Sequence, residues 1–170
     1  MGRVASSIFG ISDREVSFDY RGAGEPARPH LEGIGRCFVS GYRAALAEDC
    51  LDALAARLNA MENDFRGFAY EGAAMGLSLR DAAAPWHRRI PAFLAGPAAP
   101  HRYLTHVGVG WAGARLPFAV NGVRARLHPV FGWLAVDGYG FHHGFFDWPR
   151  AIDRQDVPRR LRGYALRVFD

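Results

Sequence analysis

Glycine inside an apolar helix is costly, so a chain that uses it repeatedly has little freedom in how those helices pack. Three stretches of this sequence combine apolar residues with recurrent glycine: RGFAYEGAAMGLSL (66–79), YLTHVGVGWAGARLP (103–117) and WLAVDGYGFHHGFFD (133–147). Each internal glycine gives up roughly 1 kcal/mol against alanine in a helix. Two arrangements account for such a sequence. Small residues let neighbouring backbones approach closely, or they leave space beside the helix for a ligand. Close packing is the commoner cause, because apolar stripes are usually core. Strands compete for 106–113, where alternation is weak and aromatics favour extended chain. The flanking segments decide for helix.

Those flanks carry a three- and four-residue period. Pro29 suits a first helical turn, and Leu31, Ile34, Phe38, Tyr42 and Ala45 follow on one face. Asp49 is placed to cap a helix bearing Leu51, Leu54, Leu58 and Met61. Asn63 or Asp64 is placed to cap the next, with Phe65, Phe68, Gly72, Met75 and Leu79 on one side and Pro85 closing it. These two are expected to form a helical hairpin. A short turn covers Ile90 to Leu94, and 117–129 reads as a loop turning at Asn121-Gly122. Residues 1–27 read as irregular, and Pro158 opens a last amphipathic helix with Leu161, Ala165, Val168 and Phe169. That helix has no stop signal before Asp170, so a cut from a longer protein is expected. The expected fold is mainly α: one compact array of packed helices over 1–170, with the Gly-rich helices buried.

Composition limits the function classes. At 170 residues and 49% apolar, the chain can build one core. The net charge of +4 comes from arginine without lysine, and the arginines are scattered apart from Arg159, Arg160, Arg162 and Arg167. A nucleic-acid footprint needs them on one face, so no nucleic acid is expected as partner. Cys37 and Cys50 read as two small buried thiols of a cytoplasmic protein. No stretch is long and apolar enough for a transmembrane segment.

Glu71 and Asp137 stand out among the candidate site residues. Neither has a polar helical face to occupy: Glu71 is flanked by Gly67, Ala74 and Met75, and Asp137 by Leu134, Val136, Tyr139 and Phe141. A helix apolar all round is buried, and a buried carboxyl must be paired, hydrogen-bonded or protonated. His106 and Arg115 are the polar members of the helix between them. The four form either a structural ion network or a general acid/base group in an apolar pocket. Tyr70, Trp111, Trp133, Tyr139 and Phe141 are the aromatics expected to line such a pocket. His142, His143 and Asp147 invite a metal reading, and His143 and Asp147 share a helix face, yet two ligands are not a metal site, no HExxH or CxxC accompanies them, and a surface or second-layer histidine pair is the reading preferred. No P-loop, G-x-S-x-G elbow or dinucleotide fingerprint is present, so no metal and no cofactor is expected.

The strings RGFAYEGAAM, YLTHVGVGWAGARLP and WLAVDGYGFHHGFFD resemble a bacterial family associated with enediyne biosynthesis, found among polyketide genes of actinomycetes and related bacteria. The resemblance runs from about Val16, in EVSFDYRG, to the end, and the family's members continue further, so it implies an N-terminal portion. It implies a pathway rather than a mechanism, and it carries no catalytic residues with it. The expected function is an accessory role in enediyne or polyketide biosynthesis, binding or processing a hydrophobic polyunsaturated intermediate. The alternative is a non-catalytic protein that docks other pathway proteins.

Overall fold

The computed structural model describes Ile11, residues 27–116 and residues 120–156. Four longer helices carry the architecture: α1 (Arg28–Ala47), α3 (Asn63–Ala83), α5 (Arg102–Arg115) and α7 (Leu134–Phe146). Shorter helices return the chain between them: α2 (Leu51–Asn59), α4 (Arg89–Ala95) and α6 (Val120–Arg124). There is no strand among the described residues. The mainly α expectation is met. Residues 1–10 and 12–26 of the irregular start, and the last helix from Pro158, lie outside the described residues.

Each long helix packs on the next, α1 on α3, α3 on α5 and α5 on α7. The contacts show why glycine is needed. A Cβ on Gly72 would fall on the Phe38 carbonyl, and one on Gly41 would fall on the Ala69 carbonyl. Gly108 faces the Glu71 carbonyl, Gly110 that of Ala135, and Gly138 that of Val107. All five added carbons would sit closer than 3.0 Å to backbone oxygen, a separation real side chains do not adopt. Backbone cannot swing aside as a flexible side chain can. The glycines are therefore filled by neighbouring helices, and close packing accounts for these positions without a space left for ligand. Such an approach also suits Cα–H···O contacts at helix interfaces.

Away from the crossing, the contacts advance in the same sense along α1 and α3. Gly33 meets Phe65, Gly72 meets Phe38, Gly76 meets Ala45, and Arg80 donates to the Ala45 carbonyl at 2.8 Å. So α1 and α3 run parallel, and α2 is the return segment. This corrects the expected hairpin: α3 takes α1 as its main partner, while α2 lends Leu54 and Leu58 to one side. With α1 and α5 both against it, α3 separates two cores. Tyr70, Ala73, Ala74 and Leu77 enter one, together with Phe93; Met75 and Leu79 enter the other, with Phe38, Val39, Tyr42 and Trp111.

Several local expectations change. Asp49 does not cap α2; Cys50 holds that position without a side-chain cap, and Glu48 Oε1 accepts from the Asp49 and Cys50 N–H groups. The Asp49 carboxylate is taken by Arg80 instead. Neither Asn63 nor Asp64 caps α3: both lie inside its first turn, after Glu62. Residues 120–124 of the expected loop form α6. Cys37 is half-buried and Cys50 exposed, so the pair is not a buried one. The α4 start is capped from a distance. Asp81 accepts from the Arg89 N–H at 3.0 Å and the Ile90 N–H at 2.9 Å, which holds Arg88 at a φ of 49°. No helix of the described residues is long and apolar enough to cross a membrane.

Gly72→Ala and Gly138→Ala should each lower stability by about 2 kcal/mol or more, because overpacking against backbone outweighs the gain in helix propensity. Gly122 has nothing within 4 Å of an added Cβ. Gly122→Ala should be neutral or stabilising by up to roughly 1 kcal/mol. Urea unfolding of the three variants checks the contrast, and equal effects would contradict it.

Candidate functional site

The close approach of α5 to α3 settles where Glu71 goes. Gly108 rests on the Glu71 carbonyl, and three residues on, Trp111 reaches back over the same junction. Its indole Nε1–H donates to Glu71 Oε1 at 2.8 Å. Glu71 is 5% exposed and Trp111 9%. No guanidinium or imidazole pairs with this carboxyl among the described residues. Burial raises the Glu71 pKa from its ordinary 4.5 to about 7, and the indole hydrogen bond opposes that rise only in part. One neutral donor does not replace the hydration a carboxylate loses.

Trp111 is the hub of the aromatic surroundings. Its ring lies 4.8 Å from that of Phe38 on α1 and 5.9 Å from those of His142, Phe145 and Phe146 at the end of α7. One turn further along α5, Arg115 Nε donates to His142 Nε2 at 3.1 Å, and its guanidinium sits 5.1 Å from the centre of the Phe146 ring. Accepting at Nε2 fixes His142 as the neutral tautomer with its proton on Nδ1. Burial, then the charge of Arg115, then His143 press its pKa down to about 3. Tyr42, wholly buried under the same cluster, is pushed up to about 12 by burial, with Arg115 opposing.

The four expected site residues are not brought together. Glu71 is buried as expected. Asp137 is exposed, which corrects the expectation of a second buried acid; partial desolvation still raises its pKa. Among the described residues α5 is the main neighbour of α7, and Asp137 lies where solvent reaches that helix, so an apolar sequence does not bury its every face. His106 is buried elsewhere: its Nδ1–H donates to the Arg102 carbonyl at 2.6 Å, leaving Nε2 without a partner, and Phe131 packs near the ring. Arg115 faces His142 and pairs with neither acid.

Of the expected lining aromatics, Trp111 touches Glu71. Tyr70 belongs to the other core, stacked on Phe93 and His101 and donating its hydroxyl to Asn59 Oδ1 at 3.0 Å. Trp133 lies under Arg124, Tyr139 against His143, and Phe141 is 61% exposed. His142, read from the sequence only as part of a surface or second-layer histidine pair, is the neighbour of Trp111 and Arg115 that this reading does not place there. The four-residue step from Trp111 to Arg115 puts those two on one helical face, but no sequence spacing says that His142 of α7 meets them.

The raised Glu71 pKa sets a pH dependence. Between pH 4.5 and 7 the folded chain keeps a proton that the unfolded chain releases. The associated stability is complete below 4.5 and is lost as pH rises through 7. Glu71→Gln keeps the acceptor for Trp111 and removes the titration. Relative to this variant, the wild type should lose on the order of 3 kcal/mol across that window. The difference cancels the opposite contribution of His142, which is lost as pH falls. Chemical unfolding at stepped pH reads it, and parallel profiles would contradict the burial account.

Residues 1–170 match the family described as "Protein of unknown function (DUF1702)", and the chain belongs to that family. No curated protein and no solved structure matches it.

Proposed function

We propose that this member of the family is an accessory protein of enediyne or related polyketide biosynthesis that binds a hydrophobic, polyunsaturated intermediate beside Trp111, with Glu71 as its proton donor. The pathway part rests on the resemblance of the three Gly-rich strings. The chemical part rests on one observation: Glu71 is buried, uncompensated by any cation among the described residues, and held by an indole N–H. A carboxyl in that setting carries a proton near neutral pH and can hand it to an electron-rich ligand, whereas an ion-paired carboxylate cannot. The Phe38, Phe145 and Phe146 rings around Trp111 offer the apolar, flat surroundings that a conjugated chain prefers. Asp137 has no part in this reading, because it is exposed.

A second reading is favoured by a different feature. Phe141, Trp148 and Ile152 are 61%, 46% and 61% exposed along the α7 end of the fold. Apolar groups of that size in water are a feature of interaction surfaces. In that reading the protein docks other pathway proteins, and Glu71 is structural.

Native mass spectrometry of the protein purified from cells that also express its polyketide synthase separates the two. A bound polyene mass at near-stoichiometric amount is expected, with its loss in Trp111→Ala. Glu71→Gln should keep the ligand and lower pathway output by about a hundredfold, the usual order for a removed general acid. Full output from Glu71→Gln would end the proton-donor role. A bare chain, or one carrying a partner subunit, would favour the docking reading.

A further inference from the structure

The four long helices repeat one set of contacts. A Cβ on Gly72 would fall on the Phe38 carbonyl, one on Gly108 on that of Glu71, and one on Gly138 on that of Val107. Phe38, Glu71, Val107 and Asp137 therefore hold equivalent places in α1, α3, α5 and α7. The reciprocal contacts keep this register: Gly41 meets the Ala69 carbonyl, Ala74 lies against Gly108, and Gly110 meets the Ala135 carbonyl. The chain thus carries four copies of one unit: Phe38-Val39-Ser40-Gly41-Tyr42, Glu71-Gly72-Ala73-Ala74-Met75, Val107-Gly108-Val109-Gly110-Trp111 and Asp137-Gly138-Tyr139-Gly140-Phe141. A glycine at the second place lets a helix approach the one before it, and a small residue at the fourth lets it receive the one after. Val39 stands at the second place of α1 and closes the row there, whereas Gly140 keeps the fourth place of α7 fit for a further helix. Burial marks the same end. Phe38, Glu71 and Val107 are buried but Asp137 is exposed; Tyr42, Met75 and Trp111 are buried but Phe141 is 61% exposed.

We propose that residues 158–170 supply a fifth copy of the unit and dock on the Asp137, Gly140 and Phe141 face of α7. The sequence there reads Arg162-Gly163-Tyr164-Ala165-Leu166, with glycine at the second place, a small residue at the fourth and a large apolar one at the fifth. In this register Gly163 meets the Asp137 carbonyl and Gly140 meets the Arg160 carbonyl, the contacts that α7 itself makes with α5. The docking is parallel, as α7 is to α5, where Tyr103 meets Phe131 at one end and Arg115 meets Phe146 at the other. The chain is long enough for it. Gly138 lies eight residues before the end of α7 and Gly163 five after Pro158, so the return from Phe146 to Pro158 covers roughly 20 Å. With Pro149–Asp153 coiled into one helical turn, the rest of that return still reaches roughly 23 Å. Arg159, Arg160, Arg162 and Arg167 also bring positive charge toward the exposed Asp137 carboxyl. A second copy cannot use its α1 for the same approach, because Val39 stands where glycine is needed. Docking here does not depend on what binds beside Trp111, and it gives the Phe141 face to the chain itself in place of a pathway partner.

NMR on the isotope-labelled full chain tests this. Nuclear Overhauser contacts are expected between the Gly163 α-protons and the backbone of Asp137 and Gly140. Mixing labelled with unlabelled chains separates contacts within one chain from contacts between copies. Contacts between copies would give the face to a second chain and overturn the assignment, as would Gly163 contacts to another helix or none at all. The sign of one substitution is an independent check. Gly163→Ala should move the urea midpoint down, in the direction of Gly138→Ala, because the added methyl meets the α7 backbone. In a solvated helix the same change moves the midpoint up, so a raised or unchanged midpoint would overturn the docking. The wild-type NMR stands by itself if Gly163→Ala does not fold.

Discussion

The contact of Gly108 with the Glu71 carbonyl fixes much of the rest. It brings α5 against α3 without an intervening side chain, and the same device joins α1 to α3 and α5 to α7. Helices this close share little room for side chains at the crossing, so the large ones are displaced to either side. They form the two cores that α3 separates. The glycines cost helix propensity, but a methyl group at any of the five closest positions would have to displace backbone. Close approach is what makes a parallel order of long helices workable, since parallel neighbours gain nothing from their aligned dipoles and must be held by contact.

Burial of Glu71 follows from that geometry. The residue after it, Gly72, rests on the Phe38 carbonyl, and the Glu71 carbonyl meets Gly108, so this turn of α3 is enclosed on two sides. Among the described residues the Glu71 side chain has one hydrogen bond, from Trp111. Protonation is the cheaper solution for an acid so placed, compared with ionising it in a low dielectric without a counter-charge. Further along α5 the opposite problem occurs. Arg115 leans on a neutral histidine and an aromatic face. Trp111 touches Glu71 through its N–H and packs its ring near His142, the acceptor for Arg115.

Much of this was legible in the sequence. Glycine among apolar residues marked α3, α5 and α7 and their close packing, Pro29 marked the start of α1, and the lack of a polar face marked Glu71 as buried. Partners were not legible. Periodicity says which face of a helix is covered but not by what, so the segment nearest in sequence, α2, was matched to α3 in place of α1. Asp49 fits a cap by type and position, yet Arg80, thirty-one residues on, draws it away. Asp137 fails for a related reason. Its neighbours in sequence are as apolar as those of Glu71, but α7 lies at the end of the described row of helices, and a helix with one main neighbour has an outer face whatever its composition.

The most direct measurement is the carboxyl carbon of Glu71 itself, followed by carbon NMR in protein labelled at glutamate and assigned by comparison with Glu71→Gln. Its titration midpoint should lie at about 7, well above the ordinary 4.5. A midpoint at the ordinary 4.5 would mean that water or a cation reaches the carboxyl, and the account of a proton-bearing acid between Gly-packed helices would be wrong.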